Sequence, residues 1–80
     1  MRLDKYLKVS RLIKRRTVAG EACDAGHVLV NGKAAKPSHT LKEGDVITIS
    51  FGEKKLSARV VNIKEHVLKN EAALLYEIID

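Results

Sequence analysis

The sequence predicts an α+β fold, with two short helices packed on a small, mostly antiparallel sheet. Three features carry that expectation. Apolar residues recur at helical spacing up to Ala25, and the pattern turns β-branched and alternating after Gly26. Asn31-Gly32 and Glu43-Gly44-Asp45 mark tight turns within the second part.

The first helix is expected from Arg2 to about Leu12. Leu3, Tyr6 and Leu7, followed by Val9 and Ile13, give one side to bury, while Lys8, Arg11 and Arg15 follow at i, i+3 and i+7 and make the other side cationic. A second helix is expected to begin near Lys14 or Arg15 and run to Ala25. It carries Val18, Ala22 and Ala25 on one stripe with Ala19 and Cys23 beside it, and Gly26 supplies a left-handed cap. Gly20 inside this helix costs about 1 kcal/mol relative to alanine, which implies that the small face packs tightly on a neighbour.

Val28-Leu29-Val30 reads as a strand, Asn31-Gly32 as a two-residue hairpin turn and Lys33-Ala34-Ala35 as its return, ended by Pro37 and Ser38. Val46 to Phe51 alternates Ile47, Ile49 and Phe51 against Thr48 and Ser50, as a strand with one buried face does. Gly52 to Lys55 turns the chain into a strand from Leu56 to Ile63, where Val60-Val61 shifts the alternation and suggests a bulge. Residues 64–70 read as a polar loop, and Glu71 to Ile79 as a helical turn leading into a last strand. No linker or repeat interrupts the 80 residues, so positions 1–80 read as one domain with one core.

Composition narrows the class further. Hydrophobic residues make up 45% of the chain but only Tyr6, Phe51 and Tyr76 are aromatic, so the core is mainly aliphatic. A single cysteine, Cys23, excludes an internal disulfide and fits a reducing, cytoplasmic setting. No apolar run reaches the roughly 20 residues needed to span a bilayer.

Charge is more informative. The chain carries +5 net, but residues 1–16 hold seven cations against Asp4 alone and sum to +6, leaving −1 for the rest. A localised basic patch on a small domain points to a polyanion. Arg2, Lys8, Arg11, Lys14, Arg15 and Arg16 are the candidate contacts, with Asn31 and Lys33 of the hairpin as secondary ones. Arginine supplies four of the seven cations, and its planar fork suits phosphate better than lysine does. Lys14, Arg15 and Arg16 stand where the second helix begins, a position that ordinarily favours acids; cations there weaken the fold unless an anion binds. The competing readings are a solvated face that only confers solubility, a membrane-surface helix, and a protein-interaction adaptor. Leu3, Tyr6 and Leu7 are needed to cover the sheet, which disfavours the membrane.

Nothing looks catalytic. Cys23 and His27 stand four apart, yet Gly26 breaks the helix between them and no second pair completes a metal site, so Cys23 reads as a buried structural residue. No phosphate loop, serine elbow or carboxylate pair is present, and no cofactor is implied. Asp4 is explained either as a first-turn helix anion or as an orienter of a neighbouring arginine; the first role suffices.

The segments RLDKYL, KRRTVAGEACDAGHVLVNGK, KPS and LKEGDVITI, in that order over about residues 2–50, resemble the S4-type RNA-binding domain, with further strands over 51–80. Arg2-Leu3-Asp4, the basic start of the second helix, and Gly26 followed by Val28 and Val30-Asn31-Gly32 are its most specific elements. The absence of an attached catalytic domain and the segment EAALLYE resemble the small stand-alone S4 group of proteobacterial heat-shock S4 proteins and RqcP of Firmicutes, the latter being nearer because the basic C-terminal extension of the heat-shock branch is missing. Lys14 stands where the family often has Ser or Thr. The resemblance implies an RNA-binding factor of ribosome-associated quality control. Such a factor binds obstructed large subunits through ribosomal RNA and stabilises peptidyl-tRNA in the P site during alanine tailing, beside RqcH and as a monomer. It also implies that Arg2, Arg11, Arg15 and Arg16 are the principal RNA contacts, supported by Lys8 and Lys14. The alternative is an S4 protein of ribosome assembly or translational regulation.

Overall fold

The computed structural model describes residues 1–79. In chain order these form α1 (Leu3–Val9), α2 (Arg16–Asp24), β1 (Val28–Val30), β2 (Lys33–Ala34), β3 (Val46–Phe51), β4 (Lys54–Val60), a 3-10 segment (Lys69–Leu75) and β5 (Tyr76–Ile79). The strands make one sheet in the order β2-β1-β3-β4-β5, and every neighbouring pair is antiparallel.

The first helix is shorter than its apolar spacing suggests. It ends at Val9 because Ser10 turns its hydroxyl back onto the Leu7 carbonyl at 3.2 Å and accepts the Leu12 amide at 3.4 Å, a local exchange that competes with helix propagation. Arg11 then takes φ 63°, in the left-handed region, so it leaves the helical line through Lys8 instead of continuing it. Ile13 donates its amide to the Leu7 carbonyl at 3.1 Å and returns its side chain to the core. The joint is therefore a hydrogen-bonded turn.

α2 starts after Arg15 and closes as a Schellman motif: the Gly26 amide bonds the Cys23 carbonyl at 3.0 Å and the His27 amide bonds that of Ala22 at 2.9 Å, with Gly26 at φ 79°. Its buried line is Ala19 and Cys23, while Val18 is 45% exposed and Ala25 faces solvent. Gly20 is not packed tightly either; a methyl group added there meets open space.

At the first hairpin Asn31 and Gly32 both have positive φ, 53° and 85°, as a type I′ turn requires. The Asn31 side chain then fixes that turn to the start of β3, its Oδ1 accepting the Val46 amide at 3.0 Å and its Nδ2 donating to Asp45 at 3.1 Å. β3 and β4 pair continuously from Val46–Arg59 to Phe51–Lys54, so the turn between them is only Gly52-Glu53, while just past Val60 the successive amides of Val61 and Asn62 both bond the Leu75 carbonyl. β4 ends at Val60, and Phe51, at the end of β3, is half exposed.

Leu3, Tyr6 and Leu7 are completely buried against Val28, Ile47, Ile49 and Val60 in one core. Burial of each such side chain stabilises by about 1.5–3 kcal/mol. Tyr6 also ties the two ends of the chain together: its hydroxyl donates to the Leu75 carbonyl at 2.6 Å, and that carbonyl accepts the Val61 and Asn62 amides as well. Burial pushes the Tyr6 phenol well above its usual range, so it stays a donor. Met1 to Asp4 lie along residues 37–41, where the Leu3 and Asp4 amides bond the carbonyls of His39 and Pro37 and satisfy the start of α1.

This packing sets the expected effect of two substitutions. Gly20→Ala is expected to stabilise the protein by about 1 kcal/mol, raising the midpoint of thermal unfolding by several degrees. Tyr6→Phe is expected to cost only about 1 kcal/mol, since the Leu75 carbonyl keeps two other donors. Thermal and urea unfolding followed by circular dichroism check both; a lower midpoint for Gly20→Ala contradicts the open environment.

Candidate nucleic-acid interface

Five of the seven basic residues of the first sixteen positions sort into two groups, each built by a different piece of backbone. The first is organised by Asp4, which the first turn of α1 holds at only 7% exposure. Its Oδ1 accepts the Lys5 amide at 2.8 Å and Arg2 Nε at 3.1 Å, while Oδ2 accepts Arg2 Nη2 at 3.3 Å and lies 3.5 Å from Arg16 Nε. Arg2 precedes α1 and Arg16 opens α2, so one carboxylate joins the beginnings of both helices. Two guanidiniums share one negative charge and the group keeps a net positive charge. Their side chains remain 54% and 47% exposed, so part of each reaches solvent. Burial by itself raises the Asp4 carboxyl, but hydrogen bonds from Arg2, Arg16 and the Lys5 amide outweigh it and hold the group below its usual value.

The second group lies at the helix joint. Lys8, Arg11 and Lys14 line a cleft of about 210 Å³ with Val9 and with residues 65–67. Lys8 comes from the last turn of α1, Arg11 from the left-handed turn and Lys14 from the lead-in to α2. The ion pairs among the described residues leave all three without an acidic partner. Arg15, the N-cap residue of α2, is exposed and lines neither group. The first turn of α2 has no acidic residue and no side-chain cap, so its amides stay open to an anion.

Asn31 and Lys33 differ from the helix cations. Both ends of the Asn31 amide are engaged within the fold, whereas Lys33 stands exposed on β2 beside a second, more apolar depression shared with Val30 and His39. Cys23 is buried and its thiol is pushed up to about 11, chiefly by that burial, which makes it a poor thiolate. Among the described residues no group of three or more His, Cys, Asp or Glu is placed to hold a metal ion. No helix among them is long and apolar enough to cross a membrane.

Sequence reasoning underrated Asp4 and passed over residues 65–67. The signal for Asp4 was its isolation, as the one acid in a run of seven cations. Residues 65–67 gave none, because a loop without periodicity does not announce what it folds against.

A family model described as the S4 domain matches residues 1–47. The chain belongs to the S4 domain family. Over nearly its whole length this S4 protein is similar to proteins named RQC P-site tRNA stabilizing factor. It is 55% identical over 78 residues to that of Halalkalibacterium halodurans, covering 98% of this chain and 89% of the relative. It is 56% identical over 79 residues to that of Streptococcus pneumoniae, covering 99% and 90%. The trimeric structure of Vibrio cholerae Heat Shock Protein 15 superposes with a TM-score of 0.91 at 32% identity, covering 99% of this chain and 81% of that one. The α+β architecture expected from the sequence is thus that of an S4 protein.

The Asp4 anchor predicts a pH dependence of stability. A carboxyl held low in the folded state binds its proton more readily when unfolded, so its contribution is complete above about pH 5 and is lost as the pH falls through the folded value. Asp4→Asn is expected to lower stability by about 1–3 kcal/mol near neutrality and to reduce the loss on acidification. Urea midpoints measured from about pH 3 to 7 check this, and parallel curves for both proteins contradict it.

Proposed function

We propose that this chain is a non-enzymatic RNA-binding factor of ribosome-associated quality control. In this reading it binds large ribosomal subunits obstructed by a nascent chain and stabilises P-site tRNA while the chain is tailed with alanine. Support comes from its near full-length similarity to factors that carry P-site tRNA stabilisation in their name, on a chain whose positive charge is gathered at the helices of its S4 domain. Arg2 and Arg16 take phosphates of folded RNA through their exposed forks, and Lys8, Arg11, Lys14 and Arg15 extend that contact over the joint. Lys33 adds a peripheral contact. Large-subunit ribosomal RNA and P-site tRNA are the partners, RqcH works on the same particle, and the chain acts in the cytoplasm as a monomer.

The physics of the role is positioning. A domain of 80 residues presents fixed guanidiniums to two RNA molecules at once, and phosphate contacts hold one tRNA state while the shape of the neighbouring RNA supplies specificity. Asp4 matters because it gives up part of the charge to set the direction of two forks. A flexible pair of the same charge binds with a larger ordering cost.

Two measurements test the reading. With about six phosphates neutralised, log K for large subunits is expected to fall against log salt with a slope of roughly −4 to −5; a slope near zero contradicts it. Arg16→Ala is expected to weaken co-sedimentation with peptidyl-tRNA-bearing large subunits about tenfold or more, as removal of a charge-assisted hydrogen bond does, with the circular dichroism spectrum unchanged. Equal binding of the variant, or equal binding to empty and obstructed subunits, overturns the assignment.

A further inference from the structure

The cleft at the helix joint is completed from outside the S4 match. Residues 65–67 line it together with Lys8, Arg11 and Lys14, although the family model ends at residue 47. Neither Arg2 nor Arg16 lines it, so it is spatially distinct from the pair held by Asp4.

Its charge pattern is unusual for a surface that is only solvated. Three cations from successive pieces of the joint line one concavity, and among the described residues none of them has an ion-pair partner; the left-handed backbone at Arg11 is what brings that residue out of the helix line. A fourth lining residue, Glu65, is an anion. The Lys5 ammonium pairs with its carboxylate and keeps it ionised below its usual value. A negative charge paired with Lys5 therefore stands in the same cleft as the three cations. Val9 and Val67 add apolar surface to the cleft.

A concavity of about 210 Å³ is far too small to admit a duplex, but it suits one phosphate and the adjoining nucleoside of an unpaired strand. A carboxylate beside such a site repels phosphates that approach along the wrong path, which trades affinity for discrimination. We propose that the cleft is a second phosphodiester site, for an unpaired RNA strand, and that Glu65, pinned by Lys5, is a specificity-determining residue that rejects strands whose backbone does not run along Lys8, Arg11 and Lys14. The inference rests on the RNA-binding reading above and adds to it a ligand class, a location and a residue with the opposite sign of effect.

The test uses the full chain and a mixed-sequence single-stranded oligoribonucleotide of about 12 nucleotides, a length within the range such sites cover. Glu65→Gln is expected to tighten binding about threefold, as removal of one screened like charge does. Arg11→Ala with Lys14→Ala is expected to weaken binding and to reduce the salt slope by about 0.7 for each phosphate no longer neutralised. In that double variant the gain from Glu65→Gln is expected to vanish, and amide resonances of residues 65–67 are expected to shift on adding the oligonucleotide to the unsubstituted chain. Unchanged affinity for Glu65→Gln, or a gain that persists without Arg11 and Lys14, overturns the proposal. If Arg2→Ala with Arg16→Ala abolishes RNA binding while the cleft variants change nothing, this site falls and the RNA-binding reading stands. If no variant alters binding, both fall.

Discussion

The carboxylate of Asp4 is the constraint on which the basic end of this molecule depends. Seven cations in sixteen residues repel one another, and two of the arginines stand at the starts of adjacent helices, where the macrodipole adds to the repulsion. One buried acid shared between Arg2 and Arg16 offsets part of that cost and fixes the direction of both side chains. It does so without neutralising them, since two positive charges meet one negative.

That anchor holds because the backbone around it is over-determined. The amides of Leu3 and Asp4 are taken by carbonyls of residues 37–41, the side chains of Leu3, Tyr6 and Leu7 fill the core, and the Tyr6 hydroxyl reaches the far end of the chain at Leu75. A rigid first helix places Asp4, and Asp4 places the arginines. The second cluster follows a different logic. There a serine ends α1, a left-handed arginine turns the chain, and the cations of the joint line a cleft with no ion-pair partner among the described residues. One group is oriented by a carboxylate and the other by the path of the backbone.

Cations that lie close in sequence are thus divided in space, and a residue far along the chain joins one of the groups. Glu65 reaches the first helix through Lys5 and lines the cleft with Lys8, which makes the loop before the 3-10 segment part of the basic surface. The segment beyond the S4 match is also structural, since β5 extends the sheet and the 3-10 turn carries the carbonyl that receives Tyr6. Fold and surface share that segment.

The sequence by itself determined the element types and most of their limits, because helical spacing, the Asn31-Gly32 turn and the alternation from Val46 to Phe51 are local signals with local causes. It also determined that positive charge belongs to the first sixteen residues. The tertiary structure alone decided where that charge points. The left-handed Arg11, the exposure of Val18 and Phe51, and the open space at Gly20 depend on which surfaces are left to pack against, which periodicity does not encode. The pairing of Arg2 with Arg16 through Asp4, and of Lys5 with Glu65, joins residues that only the folded chain brings within hydrogen-bonding range, and no spacing rule reads contacts across a fold.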